Sequence, residues 1–437
     1  MKKLLELAKN KSDSVEIYSL KNEDRNLGVF NNIPKDIKYT IQSGVSLRIL
    51  KDGKEGFAYT KDLKDRNRLI DNALLSLKGE VEGEYSFAEP KKLEKLDNYS
   101  KKIKNITSKE LVEQATRISN KLDNKNDKEL MVNLNTNIKK IRILNSNGID
   151  YKTKISNFTI MAGLIFKGSI TGIMRANIDK KFKPMPDNVL KSMKKLYNKA
   201  KKQVVNVNGK MDVLFMPNSS ITYLNSILSG LNAINLYKQV SPLEDKLNKQ
   251  VFSDKLTLLN DPLNDKYPKA REFDDEGVAS KKLNIIKNGV FKNSYNDLNF
   301  SSKLDMKPTS TGYKTQRGSG DIITKKPSPN LKHLFIEKGN KSLKEMIASI
   351  DKGVIVEGAL GAGQGNIKNG DFSIGVNPGL YVENGKIIGQ LKDAMVAGNI
   401  YEVFNNIKAV GNKLHPVFPT MIGMVPAILC ENVSVSS

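Results

Sequence analysis

An α+β fold with mainly antiparallel sheets is predicted for this 437-residue chain. Three observations predict it: helical stripes alternate with β-prone runs in the first half, Asn-Gly turns punctuate the second, and the 39% hydrophobic content suffices for two or three packed domains. The expected layout is two small helix-plus-antiparallel-sheet units followed by a larger, mainly antiparallel β domain. Their bounds are residues 1–83, a linker at 84–106, then 107–207 and 211–437.

The opening residues read as an amphipathic helix, because Glu6 interrupts the Leu4, Leu5, Leu7, Ala8 cluster and no cleavage site follows. Strand alternation follows at 14–18 and 36–50, and Asp52-Gly53 turns the second run into a partner at 55–60. Leu69, Ile70, Ala73, Leu74 and Leu77 then recur at helical spacing. The second unit opens on Thr107 and Glu110, the spacing of a capping box, ahead of the stripe Leu111, Ala115, Ile118, Leu122. Strands are expected at 141–144 and 151–166, forming a second sheet. A helix after Pro186 carries Leu190, Met193, Tyr197, Ala200 and Val204 on one face and six lysines on the others. In the last unit Asn288-Gly289, Asn369-Gly370 and Asn384-Gly385 suit type I′ turns, with helices expected near 220–233, 342–350 and 400–406.

The net charge of +24 invites a nucleic-acid reading, but the lysines are spread along the chain and mixed with Asn and Asp. Such a distribution supplies salt-sensitive nonspecific affinity without a reading element, which argues against direct nucleic-acid binding. No run of apolar residues is long enough for a membrane span. The single cysteine, Cys430, cannot form an internal disulfide, so a cytoplasmic chain is expected.

Catalytic constellations are nearly missing. His333 reads as a partly exposed strand residue, His415 as a loop residue, and Cys430 as a buried small hydrophobe near the end of the final strand. The run Phe273-Asp274-Asp275-Glu276-Gly277 lacks the alternation of a calcium loop and reads as a solvated turn. The glycine-rich stretch containing Gly361, Gly363, Gln364 and Gly365 has no following Lys-Ser or Lys-Thr. It reads as a loop whose backbone approaches something closely, with an extended peptide as the candidate.

The motifs of the second half point further. Residues 357–365, then Asn369-Gly370-Asp371-Phe372-Ser373, the run 379–386, Ala397-Gly398-Asn399 and Val410-Gly411-Asn412 occur in the order and spacing of TldD/PmbA proteins, also called modulators of DNA gyrase. The acidic turn at 273–278 and Asn288-Gly289-Val290 resemble the same family. One subunit type of that family carries an H-E-x-x-x-H helix and a late cysteine that bind zinc. Here Asn225, Ser226 and Gly230 stand at the matching helix positions and Thr420 near the matching cysteine, while Cys430 comes too late to replace it. The chain thus resembles the subunit type called TldE or PmbA, which lacks the zinc motif. That resemblance implies a non-catalytic subunit of a heterodimeric metallopeptidase cleaving unfolded peptides, with no cofactor in this chain and zinc in a TldD-like partner. The alternative is a stand-alone or homodimeric peptide-binding protein.

Overall fold

The computed structural model describes residues 1–122, 128–204, 207–315, 321–361, 366, 368–417 and 419–437. Helix α1 (Lys2–Lys9) precedes strands β1 (Ser14–Phe30), β2 (Ile33–Lys51) and β3 (Lys54–Thr60), and α2 (Arg66–Ser76) follows. Next come α3 (Lys101–Asn105), α4 (Ser108–Leu122), β4 (Lys128–Asn145), β5 (Asp150–Phe166), β6 (Gly172–Asp179) and α5 (Asp187–Ala200). The expected α+β class with mostly antiparallel pairing is what the chain adopts.

The expected second sheet is instead part of the first. The six strands form one sheet in the order β3-β2-β1-β4-β5-β6, because β1 pairs with β4 from Glu16–Asn145 to Phe30–Met131. A 17-residue strand left as an edge would expose its whole row of N–H and C=O groups, and this pairing satisfies them. Along β1, Val15, Ile17, Leu27 and Val29 share one face. The first two lie in a core with α1 and α2, the last two in a core with α3, α4 and α5. Each unit therefore keeps its own helical cover on one continuous face. Tyr18, Leu20, Ile141 and Ile143 point the opposite way and pack with Phe273, Leu298 and Ile323 of the second half.

The turns behave largely as their composition predicts. Asp52 and Gly53 take φ values of 50° and 70°, and Asn288-Gly289 and Asn384-Gly385 are likewise left-handed at both residues. At Asn369-Gly370 only the glycine is at positive φ, so this pair makes no type I′ turn. Val204 leaves the helical stripe, since α5 ends at Ala200 and Gln203–Val204 forms a short strand, β7.

The second half contains a ten-stranded sheet with β8 (Gly209–Phe215) near its centre. The strand Ile428–Ser436 lies antiparallel on one side of β8 and Lys352–Val356 parallel on the other. A further six-stranded sheet packs with it around a core that includes Phe215, Tyr223, Phe252, Ile285 and Phe404. The helix expected at 220–233 divides into α6 (Ile221–Gly230) and a short helix, Ala233–Tyr237, capped by the Asn232 side chain on the Ile234 amide at 2.9 Å.

Candidate functional site

Helix α6 is apolar on most sides and buries Tyr223, Leu224 and Ile227 in the core of the second half. Its remaining side carries Ile221, Asn225, Leu228 and Ser229, residues that share a face at helical spacing and line a cleft of 980 Å³. Thr420 lies on the same cleft, so two of the four positions matched to the zinc site converge in space although 195 positions separate them in the numbering of the chain (420 minus 225). Ser226 is buried on the other side of α6. Gly230 faces the core as well: a Cβ there would lie 2.3 Å from the Tyr401 hydroxyl, so a longer side chain would require Tyr401 to move.

The polar part of the cleft wall is made of amides, hydroxyls and two lysines. Asn232 Nδ2 donates to the Tyr295 hydroxyl at 3.1 Å, which in turn donates to the Leu228 carbonyl at 2.8 Å. Asn235 Nδ2 donates to the Ser229 carbonyl at 2.8 Å and hydroxyl at 3.0 Å. Asn330, Thr315, Lys325 and Lys326 complete the polar lining, and no carboxylate is among the lining residues. Amides and hydroxyls offer paired donors and acceptors, which suit the main chain of an extended peptide whatever its side chains. They are poor substitutes for the imidazole, thiolate and carboxylate ligands that zinc takes. Among the described residues no three His, Cys, Asp or Glu side chains gather as a metal-binding group.

Sequence reasoning identified Asn225 and Thr420 but missed Asn232, Asn235, Asn330 and the two lysines. A signal for the first two was present: polar residues recur at 225, 229 and 232 on an otherwise apolar stretch, then again at 235. Gly361 follows the edge strand Ala359–Leu360 at φ 73°, is exposed, and is not part of the cleft lining. Gly363, Gln364 and Gly365 lie outside the described residues.

Other sequence expectations are corrected. His333 is buried, not partly exposed. Its Nε2 donates to the Pro268 carbonyl at 3.2 Å, and burial pushes its pKa down to about 3, which leaves a neutral imidazole. His415 belongs to a short strand paired with Gly423–Val425 and not to a loop. Cys430 is buried as expected, and burial raises its thiol pKa far from the thiolate range.

The acidic turn is the largest correction. Asp274, Asp275 and Glu276 are 1%, 4% and 1% exposed, not solvated. Their carboxylates are buried because donors meet them. Asp274 accepts from the amides of Glu276, Val278 and Gly312, each at 3.0 Å. Asp275 accepts from Arg271 Nη1 at 2.8 Å and the Lys314 amide at 2.9 Å. Glu276 accepts from Arg48 Nη1 at 3.0 Å and the Leu298 amide at 2.8 Å. Arg48 also grips Glu16 through two bonds of 2.9 and 2.8 Å, so the turn ties the first sheet to the second half.

Comparison with known proteins agrees with this architecture. Residues 15–77 match the model of "PmbA/TldA metallopeptidase domain 1" and residues 208–437 that of the "PmbA/TldA metallopeptidase C-terminal domain". A PmbA metalloprotease homolog from Buchnera aphidicola is 23% identical over 432 residues, covering 94% of this chain and 91% of the relative. An uncharacterized protein of Methanocaldococcus jannaschii is 24% identical over 431 residues, with 95% and 97% covered. Among solved structures, TldE from Thermococcus kodakarensis superposes with a TM-score of 0.90 at 22% identity over 100% of both chains. A Thermotoga maritima protein described as a candidate modulator of a DNA gyrase gives 0.87 at 23% identity, covering 100% and 99%. The C-terminal match alone takes in more than half of the 437 residues, and the chain belongs to the PmbA/TldD family.

Proposed function

We propose that this chain is the non-catalytic subunit of a TldD/TldE-type heterodimeric metallopeptidase that cleaves unfolded peptides. The observation that carries the reading is the chemistry of the α6 cleft. Asn225 and Thr420 face it where the resemblance puts zinc ligands, Ser226 is turned into the core, and Gly230 faces the core against Tyr401. These residues do not fit a zinc ion, so the metal and the activated water belong to a TldD-like partner. The relatives named as metalloproteases include both PmbA and TldD homologs, which supports a partner of that kind. The amide and hydroxyl wall of the cleft then serves to hold an extended substrate by its main chain. As no helix in the described residues is long and apolar enough to cross a membrane, a cytoplasmic location remains part of the proposal.

Co-purification from the native cell with metal analysis tests this. The expected result is a complex with a chain bearing H-E-x-x-x-H, zinc in that complex, and no stoichiometric zinc in the isolated chain after dialysis. About one zinc per isolated chain, retained against mild chelation, would overturn the assignment. A chain that binds extended peptides and pairs only with itself would establish the stand-alone alternative.

A further inference from the structure

The open face of the first sheet is not filled by apolar side chains alone. Where its centre meets the second half there is a separate cavity of 240 Å³, to which the sheet contributes Lys139 and the second half Lys269, Arg271, Lys314 and Lys332. Asp275 is the single carboxylate in the lining. Five cationic side chains therefore share one acidic partner.

The partners these cations do have are mostly neutral. Lys314 Nζ donates to the Ser46 hydroxyl at 2.9 Å and the Lys325 carbonyl at 2.6 Å, and Lys269 Nζ to the Met421 carbonyl at 2.9 Å. Arg271, 7% exposed, spends Nη1 on Asp275, while its Nε and Nη2 are buried with no hydrogen-bond partner among the described residues. Buried charge is normally paired, and an unpaired buried cation is costly enough that an apolar side chain of similar size would be the more stable filler. The cost registers in the side chains themselves. Burial pushes Lys269 and Lys314 down to about 7 and Lys332 to about 8, with neighbouring cations adding to the effect.

We propose that this cavity is a binding site for a compact multivalent oxyanion of the phosphate class, with pyrophosphate as its best-sized representative. An anion placed between these side chains supplies the missing countercharge. A water occupies about 30 Å³ of liquid, so the 240 Å³ cavity has room for two phosphoryl groups. The site is distinct from the α6 cleft and does not depend on the function proposed for it. The two are neighbours in the chain, however: Lys314 lines the cavity and Thr315 the cleft, and Lys332 and Leu331 divide in the same way.

Isothermal titration of the full chain with inorganic pyrophosphate, against sodium chloride at matched ionic strength, tests the site. Saturable binding at about one ion per chain is expected, weakened at least about tenfold in Lys332→Gln and unchanged in Lys191→Gln, which alters an exposed lysine of α5. Thermal melting adds a second readout of opposite sign. Without ligand Lys332→Gln melts above the parent protein, because cation crowding is relieved, yet it loses the rise in Tm that pyrophosphate gives the parent. A parallel titration with ADP separates a free ion from the diphosphate end of a nucleotide, and either source supports the site. No saturable heat, equal binding by parent and Lys332→Gln, or equal weakening by Lys191→Gln would overturn the proposal; the last would mark an adventitious ion on the basic surface.

Discussion

Arg48 is the residue on which the contact between the two halves turns. It is 3% exposed and lies between Glu16 on β1 and Glu276 in the acidic turn, with the Phe87 ring 5.2 Å from the centre of its guanidinium. Removing one member of a buried ion cluster leaves the others charged and unpaired, which costs about 3–5 kcal/mol. Arg48→Met should therefore lower the unfolding free energy measured in urea by that much, seen as a fall in the midpoint, and Arg48→Met with Glu16→Gln and Glu276→Gln should recover part of the loss. A single change with no effect on the midpoint would mean that water already reaches the cluster. From the sequence this cluster was invisible: three consecutive carboxylates read as solvated when the arginine that joins them to the first sheet, Arg48, lies 228 residues away and the amides of Leu298, Gly312 and Lys314 come from other turns. Asn225 and Thr420 were legible only because a family pattern said where to look. Their meeting in one cleft is a property of the fold, as is the approach of Tyr401 to position 230.

At the scale of elements, legibility follows how far local chemistry determines the outcome. The capping box is local. Glu110 N donates to Thr107 Oγ1 at 3.2 Å, and Thr107 N donates back to the Glu110 carboxylate at 2.7 Å, as the spacing predicts. Thr107→Ala should cost about 1 kcal/mol, read as a small fall in Tm, whereas Thr107→Ser should be nearly neutral. The long strands are the opposite case. The sequence reading stops at 14–18 of β1 and 141–144 of β4, because Asn and Asp are depleted in strands and both faces of β1 are polar over 21–26, although Leu130, Val132 and Leu134 alternate along β4. The polar run nevertheless continues as strand through cross-strand side-chain bonds. Asn137 Nδ2 donates to Asn22 Oδ1 at 2.7 Å and Asp24 Oδ1 at 2.8 Å, and Asn135 Nδ2 to Asn26 Oδ1 at 2.6 Å. Such a ladder has no period to detect in one strand, since each residue's reason for being extended sits on its neighbour.

For the whole molecule, the buried lysines give stability an unusual dependence on pH. Lys314 is held down by burial and by Arg48, against the pull of Glu16, Asp275 and Glu55. Lys269 is held down by burial, Lys332 and Lys139. In the folded protein both titrate near pH 7, and in the unfolded chain near the ordinary 10.5. Between those values the unfolded chain binds protons that the folded one does not, so stability rises with pH across that window and is lowest below it. Tm should therefore increase from pH 7 to pH 9.5. Part of any increase comes from lowering the net charge of +24, which reduces self-repulsion everywhere on the surface. Lys314→Met isolates the buried contribution: it keeps the surface charges and removes one of the two groups, so its Tm should rise less over the same range. Saturating pyrophosphate should flatten the parent's profile too, because an anion in the cavity favours the charged lysines and brings their folded pKa values back toward the unfolded ones. If parent and Lys314→Met rise in parallel, Lys314 is charged throughout in the folded state and its countercharge is already in place.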